Sequence, residues 1–167
     1  MKPVLTLERL KQVYFYDPET GEFLRLLETN SHMGTAKVGE AAGSVSGERY
    51  VRIGLDGKVY RAHRLAVFYM TGEWPIRVDH EDLDGTNNRW KNLRPATVSQ
   101  NQANTSRRKD NTSGFKGVSK TASETWQAVI WVRKKKLCLG TYATPHEAFA
   151  AYKSAHEKHF GAFSRTT

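Results

Sequence analysis

Asp79-His80, with Asn92 13 residues past the acid and Asn101 nine further on, constrains the fold of this chain more than any other feature. Residues 76–80 read as a strand, 81–90 as a polar loop, and 92–94 as a short returning strand. Thr97-Val98-Ser99-Gln100 then has the Ser/Thr-x-x-Glu/Gln form that starts a helix, which places Asn101 near that helix's first turn. The order is strand, loop, strand, helix, a ββα unit that can gather four side chains from separate stretches. Asp79 and Asn101 offer oxygens to a hard divalent cation. His80 can take a proton from water near neutral pH, and Asn92 can brace the loop. Strand neighbours point to opposite faces. Asp79 and His80 therefore serve one phosphate only where the strand ends or bends, which the loop with Gly85 permits.

Charge shows what such a site would act on. The net charge is +9, but residues 1–104 carry 14 Lys/Arg against 13 Asp/Glu, and residues 105–167 carry 12 against 4. The basic excess is confined to the last third, as expected for a polyanion-binding module joined to a nearly neutral one. That segment has clear β and helix patterning, unlike a solvating tail. Cys138 is the single cysteine, so intrachain disulfides and cysteine-based zinc sites are excluded. No run approaches the roughly 20 apolar residues of a membrane span. The first residues lack a secretion signal, and the expectation is an intracellular, cytoplasmic protein.

Ahead of the site, Thr6 caps an expected helix at 7–13. Tyr14-Phe15-Tyr16 and residues 22–26 flank the turn Asp17-Pro18-Glu19-Thr20-Gly21 as a hairpin. Residues 28–47, rich in Gly, Ser, Thr and Ala, read as a loop, and His32 within it receives no role. Residues 49–53 and 58–61 flank Asp56-Gly57, a strong hairpin signal. A helix at about 63–70 follows, closed by Thr71-Gly72.

Residues 105–113 are polar and basic, a linker suited to lie along a phosphate backbone through Arg107, Arg108 and Lys109. Beyond it, residues 115–119, 126–133 and 136–142 read as strands, with Lys134-Lys135 as a turn. On the second strand, Trp126, Ala128, Ile130 and Val132 share one face, and Gln127, Val129, Trp131 and Arg133 the other. Thr144, Pro145 and Glu147 open a final helix ending near Phe160-Gly161, with Ala148, Ala151, Tyr152 and Ala155 as its close-packing face.

Glu81, Asp82 and Asp84 resemble part of a calcium loop, but setting Gly85 at the sixth position puts His80 first and Lys91 twelfth, both wrong for calcium. They are read instead as a solvated loop. His63 is read as structural or phosphate-contacting rather than catalytic. His146, His156 and His159 are read as solvated on the last helix rather than metal-binding.

The string His63-Arg64-Leu65, Val78-Asp79-His80, Asn87-Asn88-Arg89, Asn92-Leu93-Arg94 and Gln100-Asn101 with Asn104 resembles the HNH endonucleases, specifically the ββα-metal group of phages and mobile introns. The resemblance covers roughly residues 45–105. It implies Asp79 and Asn101 as metal ligands, His80 as general base and Asn92 as loop brace. An asparagine stands for the family's final histidine, which implies Mg²⁺ or Mn²⁺ rather than zinc.

Residues 113–165 resemble the APETALA2-type DNA-binding domain through Lys116-Gly117-Val118, Trp126 to Ile130, Leu139-Gly140-Thr141-Tyr142, Glu147-Ala148 and Ala151-Tyr152. That family lays a three-stranded sheet in the major groove with a helix behind. The resemblance places Lys116, Ser119, Val129, Trp131, Lys136 and Cys138 against DNA. Plant members often carry Arg, Glu or Trp at these positions, where this chain has Ser119, Val129 and Cys138, so phosphate and shape contacts are expected rather than base reading, from Lys116, Lys120, Trp131, Arg133, Lys134, Lys135 and Lys136.

The expected fold is therefore α+β. Residues 1–104 form a ββα-metal (HNH) nuclease domain preceded by β-hairpins, 105–113 a basic linker, and 114–167 a three-stranded antiparallel sheet packed on one helix. The expected function is a metal-dependent DNA endonuclease of homing or nicking type, acting on double-stranded DNA as a monomer or weak dimer. A DNA-binding protein with a decayed nuclease domain is the alternative, and an RNA nuclease a third reading.

Overall fold

In the computed structural model, which describes residues 5–31, 34–45 and 49–166, the Thr6 hydroxyl accepts the Arg9 amide at 3.2 Å and opens α1, Leu7–Val13. The chain divides into two units, Met1–Pro95 and Ala96–Thr167. Expected residue His32 lies outside the described residues.

In the first unit, β1 (Tyr14–Tyr16) pairs antiparallel with β2 (Phe23–Arg25). The segment read as a loop at 28–47 instead holds short strands among its described residues. β3 (Thr29–Ser31) pairs with β4 (Gly34–Ala36), β5 (Ala41–Ala42) extends the β1–β2 sheet, and β6 (Ser44–Val45) pairs with Val51 and Arg52. Strands of two or three residues carry too little hydrophobic alternation to be read from sequence.

β7 (Val51–Leu55) turns into β8 (Lys58–Arg61) through Asp56 and Gly57, both at positive φ (50° and 71°), the I′ geometry that the Asp-Gly pair favours. The strand lies two residues later than expected. Arg9 grips Asp56 at 2.8 Å. α2 (Ala62–Thr71) follows and ends on Gly72 in the left-handed region at φ 75°. It buries Leu65, Ala66, Val67 and Phe68 against Leu10, Val13, Tyr14, Tyr16, Phe23 and Ile53. Trp74 stacks on Phe68, with ring centroids 4.5 Å apart. β9 (Val78–His80) pairs antiparallel with β10 (Leu93–Pro95), and a 3-10 turn, Trp90–Asn92, leads into β10.

The second unit begins with α3, Val98–Ala103, capped by Thr97 with the reciprocal Gln100 bond in place. The division between the two units falls before this helix. Lys116 is one reason. Its ammonium donates to the carbonyls of Ala103 at 2.7 Å, Thr105 at 2.6 Å and Arg165 at 2.8 Å, tying the helix end and the following residues to the second core. β11 (Val118–Lys120), β12 (Trp126–Val132) and β13 (Lys135–Tyr142) form one antiparallel sheet. β11 starts three residues later than expected. The β12–β13 turn is Arg133-Lys134, at φ 49° and 66°, rather than Lys134-Lys135. A bulge at Ala128/Val129 shifts the β13 register.

α4 (Pro145–Phe160), capped by Thr144 with Glu147 closing the box, packs on this sheet. Ala148, Tyr152, His156 and Phe160 recur every fourth residue on its buried side. Gly117, at φ 74°, lets the Tyr152 ring lie 2.0 Å from where a Cβ would stand. Among the described residues, no helix is long and apolar enough to cross a membrane.

His156 corrects an expectation: it is buried rather than solvated, and its Nδ1 lies 2.7 Å from Ser164 Oγ. Burial, with the Lys116 charge nearby, pushes its pKa down to about 4. The unfolded chain therefore takes this proton first. The stability that neutral His156 contributes is complete above about pH 6.5 and is lost as pH falls toward 4. Thermal unfolding followed by calorimetry from pH 7 to 4 should show this loss. His156→Phe should flatten that slope by on the order of 10 °C in Tm.

Candidate active site

The short ribbon of β9 and β10 sets Asp79 opposite Arg94 and His80 opposite Leu93. Strand β9 ends at His80, the condition under which neighbouring side chains can serve one site. Asp79 is 4% exposed. Its Oδ2 accepts Arg94 Nη2 at 2.8 Å and Nε at 2.9 Å. The acid read as a cation ligand is thus a buried carboxylate already matched to a guanidinium, a partner the sequence reading did not assign.

His80 is also buried. Its Nε2 lies 3.3 Å from Asn88 Oδ1. The His63 ring meets it edge to face, centroids 4.9 Å apart, and Tyr50 lies 5.9 Å away. Burial pushes the His80 pKa below its ordinary value, against the pull of the Asn88 bond and of Asp82, Asp79 and Asp84. At neutral pH the ring is therefore neutral and able to accept a proton. His63 is buried with its Nδ1 lacking a hydrogen-bond partner among the described residues. Burial, followed by the charges of His80, Arg61 and Arg64, pushes its pKa down to about 3.

Asn92 spans the loop between the strands. Its Oδ1 accepts the Asp82 amide at 3.1 Å, and its Nδ2 donates to Asp82 Oδ1 at 2.9 Å and to the Asn87 carbonyl at 2.8 Å. Asp82 was read as one of several solvated carboxylates. It is exposed, yet it also accepts Asn87 Nδ2 at 2.6 Å and the Asp84 amide at 2.8 Å. Burial alone would raise its pKa, but these bonds together hold it below the usual carboxylate range. Gly85 is required here: a Cβ would stand 2.0 Å from the Arg49 carbonyl.

The N-terminal hairpin fastens the far side of the loop. The Tyr16 hydroxyl donates to the Asn88 carbonyl at 2.7 Å, and the Trp90 amide donates to the Pro18 carbonyl at 2.9 Å. Gly21, at φ 80°, admits the Asn88–Arg89 peptide within 2.4 Å of its missing Cβ.

The second unit holds Asn101 on α3, half-buried, and the basic candidates. Arg107, Arg108, Lys109, Lys120, Arg133, Lys134, Lys135 and Lys136 are exposed, and Trp131 is 61% exposed. Arg108 pairs with Asp110 at 2.7 Å, and Lys120 pairs with Glu124. Lys116 departs from its expected role: all three ammonium donors go to backbone carbonyls, and burial, with Arg165 nearby, lowers its pKa to about 8. Register and alternation put Ser119, Val129, Trp131, Lys136 and Cys138 on the sheet face opposite the buried Ala128 and Ile130. Arg107, Arg108 and Trp131 also line a cleft of about 520 Å³ that reaches Ser99 and Gln102 on α3.

Among the described residues, no three His, Cys, Asp or Glu side chains gather as a ready-made metal cage.

A family model described as HNH endonuclease matches residues 60–103. The match runs from β8 to α3 and includes His63, Asp79, His80, Asn92 and Asn101. It supports a nuclease-type function and a nucleic acid substrate for that segment. No curated protein matches the chain.

The residues that sequence reasoning left without a site role are Asn88, Arg94 and the loop carboxylate Asp82. Only Arg94 carried a signal, as the cross-strand neighbour that the Asp79 and Asn92 spacing implies.

Removing the Asn92 side chain should free the loop while leaving the β9–β10 ladder intact. Asn92→Ala is expected to lose about 1–3 kcal/mol of stability. In hydrogen exchange the Asp82 amide should exchange much faster, while the Glu81 amide, which bonds the Asn92 backbone carbonyl at 3.0 Å, stays protected.

Proposed function

We propose that this chain is a metal-dependent DNA endonuclease of the homing or nicking type, with the first unit carrying the base. The observation that carries this reading is a buried His80 at the end of a strand, beside Asp79 and next to a loop knitted by Asn92. Asp79 and Asn101 would hold one Mg²⁺ or Mn²⁺ ion, which when bound supplies charge stabilisation for the phosphate and the leaving oxygen. His80 takes the proton of the attacking water. The new P–O bond forms as the bond to the 3′ oxygen breaks, leaving a 3′-hydroxyl and a 5′-phosphate. Asn92 keeps the loop closed against His80.

The second unit would hold double-stranded DNA in the manner of an APETALA2-like domain, by phosphate contacts from Arg107, Arg108, Lys109, Arg133, Lys134, Lys135 and Lys136. Trp131 and Lys136, paired across β12 and β13, would lie on the face that meets the duplex. Binding of this kind weakens steeply with salt.

One observation favours the second reading, a DNA-binding protein with a decayed nuclease unit: the Asp79 carboxylate is already neutralised by Arg94. A supercoiled-plasmid assay separates the two. The nuclease reading expects relaxation in Mg²⁺ that EDTA abolishes. It also expects His80→Ala to cut at least about 100-fold more slowly while retaining DNA affinity. No relaxation by the wild-type protein at any salt concentration would leave the binder.

A further inference from the structure

The loop between β9 and β10 contains a buried side-chain amide. Asn88 is 3% exposed and is held on several sides at once. Its carbonyl accepts the Tyr16 hydroxyl at 2.7 Å, and burial pushes that phenol's pKa up, so it remains a donor. Its peptide lies against Gly21, and the next residue but one, Trp90, is bonded to Pro18. Its own Nδ2 donates to the Thr86 carbonyl at 3.1 Å. With the amide nitrogen committed in that direction, the oxygen is the atom presented to His80 Nε2, 3.3 Å away.

A neutral imidazole carries one N–H and one lone pair, and an acceptor beside one nitrogen draws the proton to it. We infer that Asn88 is a positioning residue for His80: its side-chain oxygen keeps the proton on Nε2, so that the nitrogen that accepts a proton is Nδ1. The N-terminal hairpin belongs to the same device, because Tyr16, Pro18 and Gly21 fix the backbone from which Asn88 reaches. This inference rests on the reading of His80 as the base, and it names the ring nitrogen on which that base works.

Long-range ¹H–¹⁵N correlation on ¹⁵N-histidine-labelled protein reads the tautomer without substrate or cutting. The wild type should show His80 as the Nε2–H form. Asn88→Asp keeps an acceptor facing Nε2 and should retain that form, whereas Asn88→Leu should lose it for the Nδ1–H form or a mixture. In single-turnover cleavage, Asn88→Leu should slow the chemical step by about 10- to 100-fold with DNA affinity unchanged. Asn88→Asp should restore most of the rate. Thermal unfolding of both variants checks that they are folded. If Asn88→Leu does not fold, the wild-type spectrum and the Asp variant decide the matter.

An Nδ1–H wild type, or a folded Asn88→Leu that cuts at the wild-type rate, overturns the inference. A wild-type protein that cuts nothing yet shows Nε2–H at His80 defeats the nuclease reading and leaves the role of Asn88 in place.

Discussion

The ribbon carrying Asp79 and His80 has three residue pairs and would not hold its shape alone, so the structure of the site depends on bonds made to the loop between its strands. Those bonds come from two directions. Asn92 closes the loop from within by three hydrogen bonds. The first hairpin closes it from outside through Tyr16, Pro18 and the missing side chain of Gly21. The core under α2, built from Leu65, Phe68 and the aromatic residues of that hairpin, fixes where the hairpin stands. Packing remote from the site thus reaches His80 through one asparagine.

Charge is handled differently in the two units. The first buries both ionisable side chains of its central pair and removes the cost in two ways: Asp79 is paired with Arg94, and His80 and His63 are kept neutral. The second unit leaves most of its cations in water, where they remain strongly hydrated and available to a polyanion. Lys116 and His156 are the exceptions. Lys116 gives its donors to the carbonyls of Ala103, Thr105 and Arg165, and His156 lies on the buried side of α4.

The long elements were legible because their signals are local. Thr6, Thr97 and Thr144 cap the helices that were read from them, Asp56-Gly57 makes its turn, and the Trp126 strand alternates as its residues do. The short strands between 29 and 45 were missed because two or three residues show no period. Burial of polar groups was missed for another reason. Nothing in the string Asn87-Asn88 says that one amide lies half-buried in a surface loop and the other lies under a tyrosine hydroxyl. Lys116 was placed against DNA by resemblance and His156 was read as solvated, and neither residue type nor motif position is a good guide where hydrogen-bond partners far along the chain satisfy the buried group. Asp79, His80 and Asn92 border one loop, and the Asn92 side chain bonds Asp82 and Asn87 across it.

The Asp79–Arg94 pair bears on both functional readings, and its energetics decide how far it counts against catalysis. A buried carboxylate without a cation is costly, and breaking such a pair by removing one partner typically costs about 3–5 kcal/mol. A cation beside Asp79 offsets that cost, and Arg94, directly opposite in the ribbon, is the group the backbone supplies. A carboxylate has about four acceptor directions, and both guanidinium contacts converge on Oδ2. An ion pair with Arg94 does not by itself exclude ligation of a cation by the same carboxylate. The guanidinium would then fix the rotation of the carboxylate, as hydrogen-bonded partners of metal ligands generally do. The pair therefore counts as evidence of decay only if Arg94 competes with a cation for Asp79.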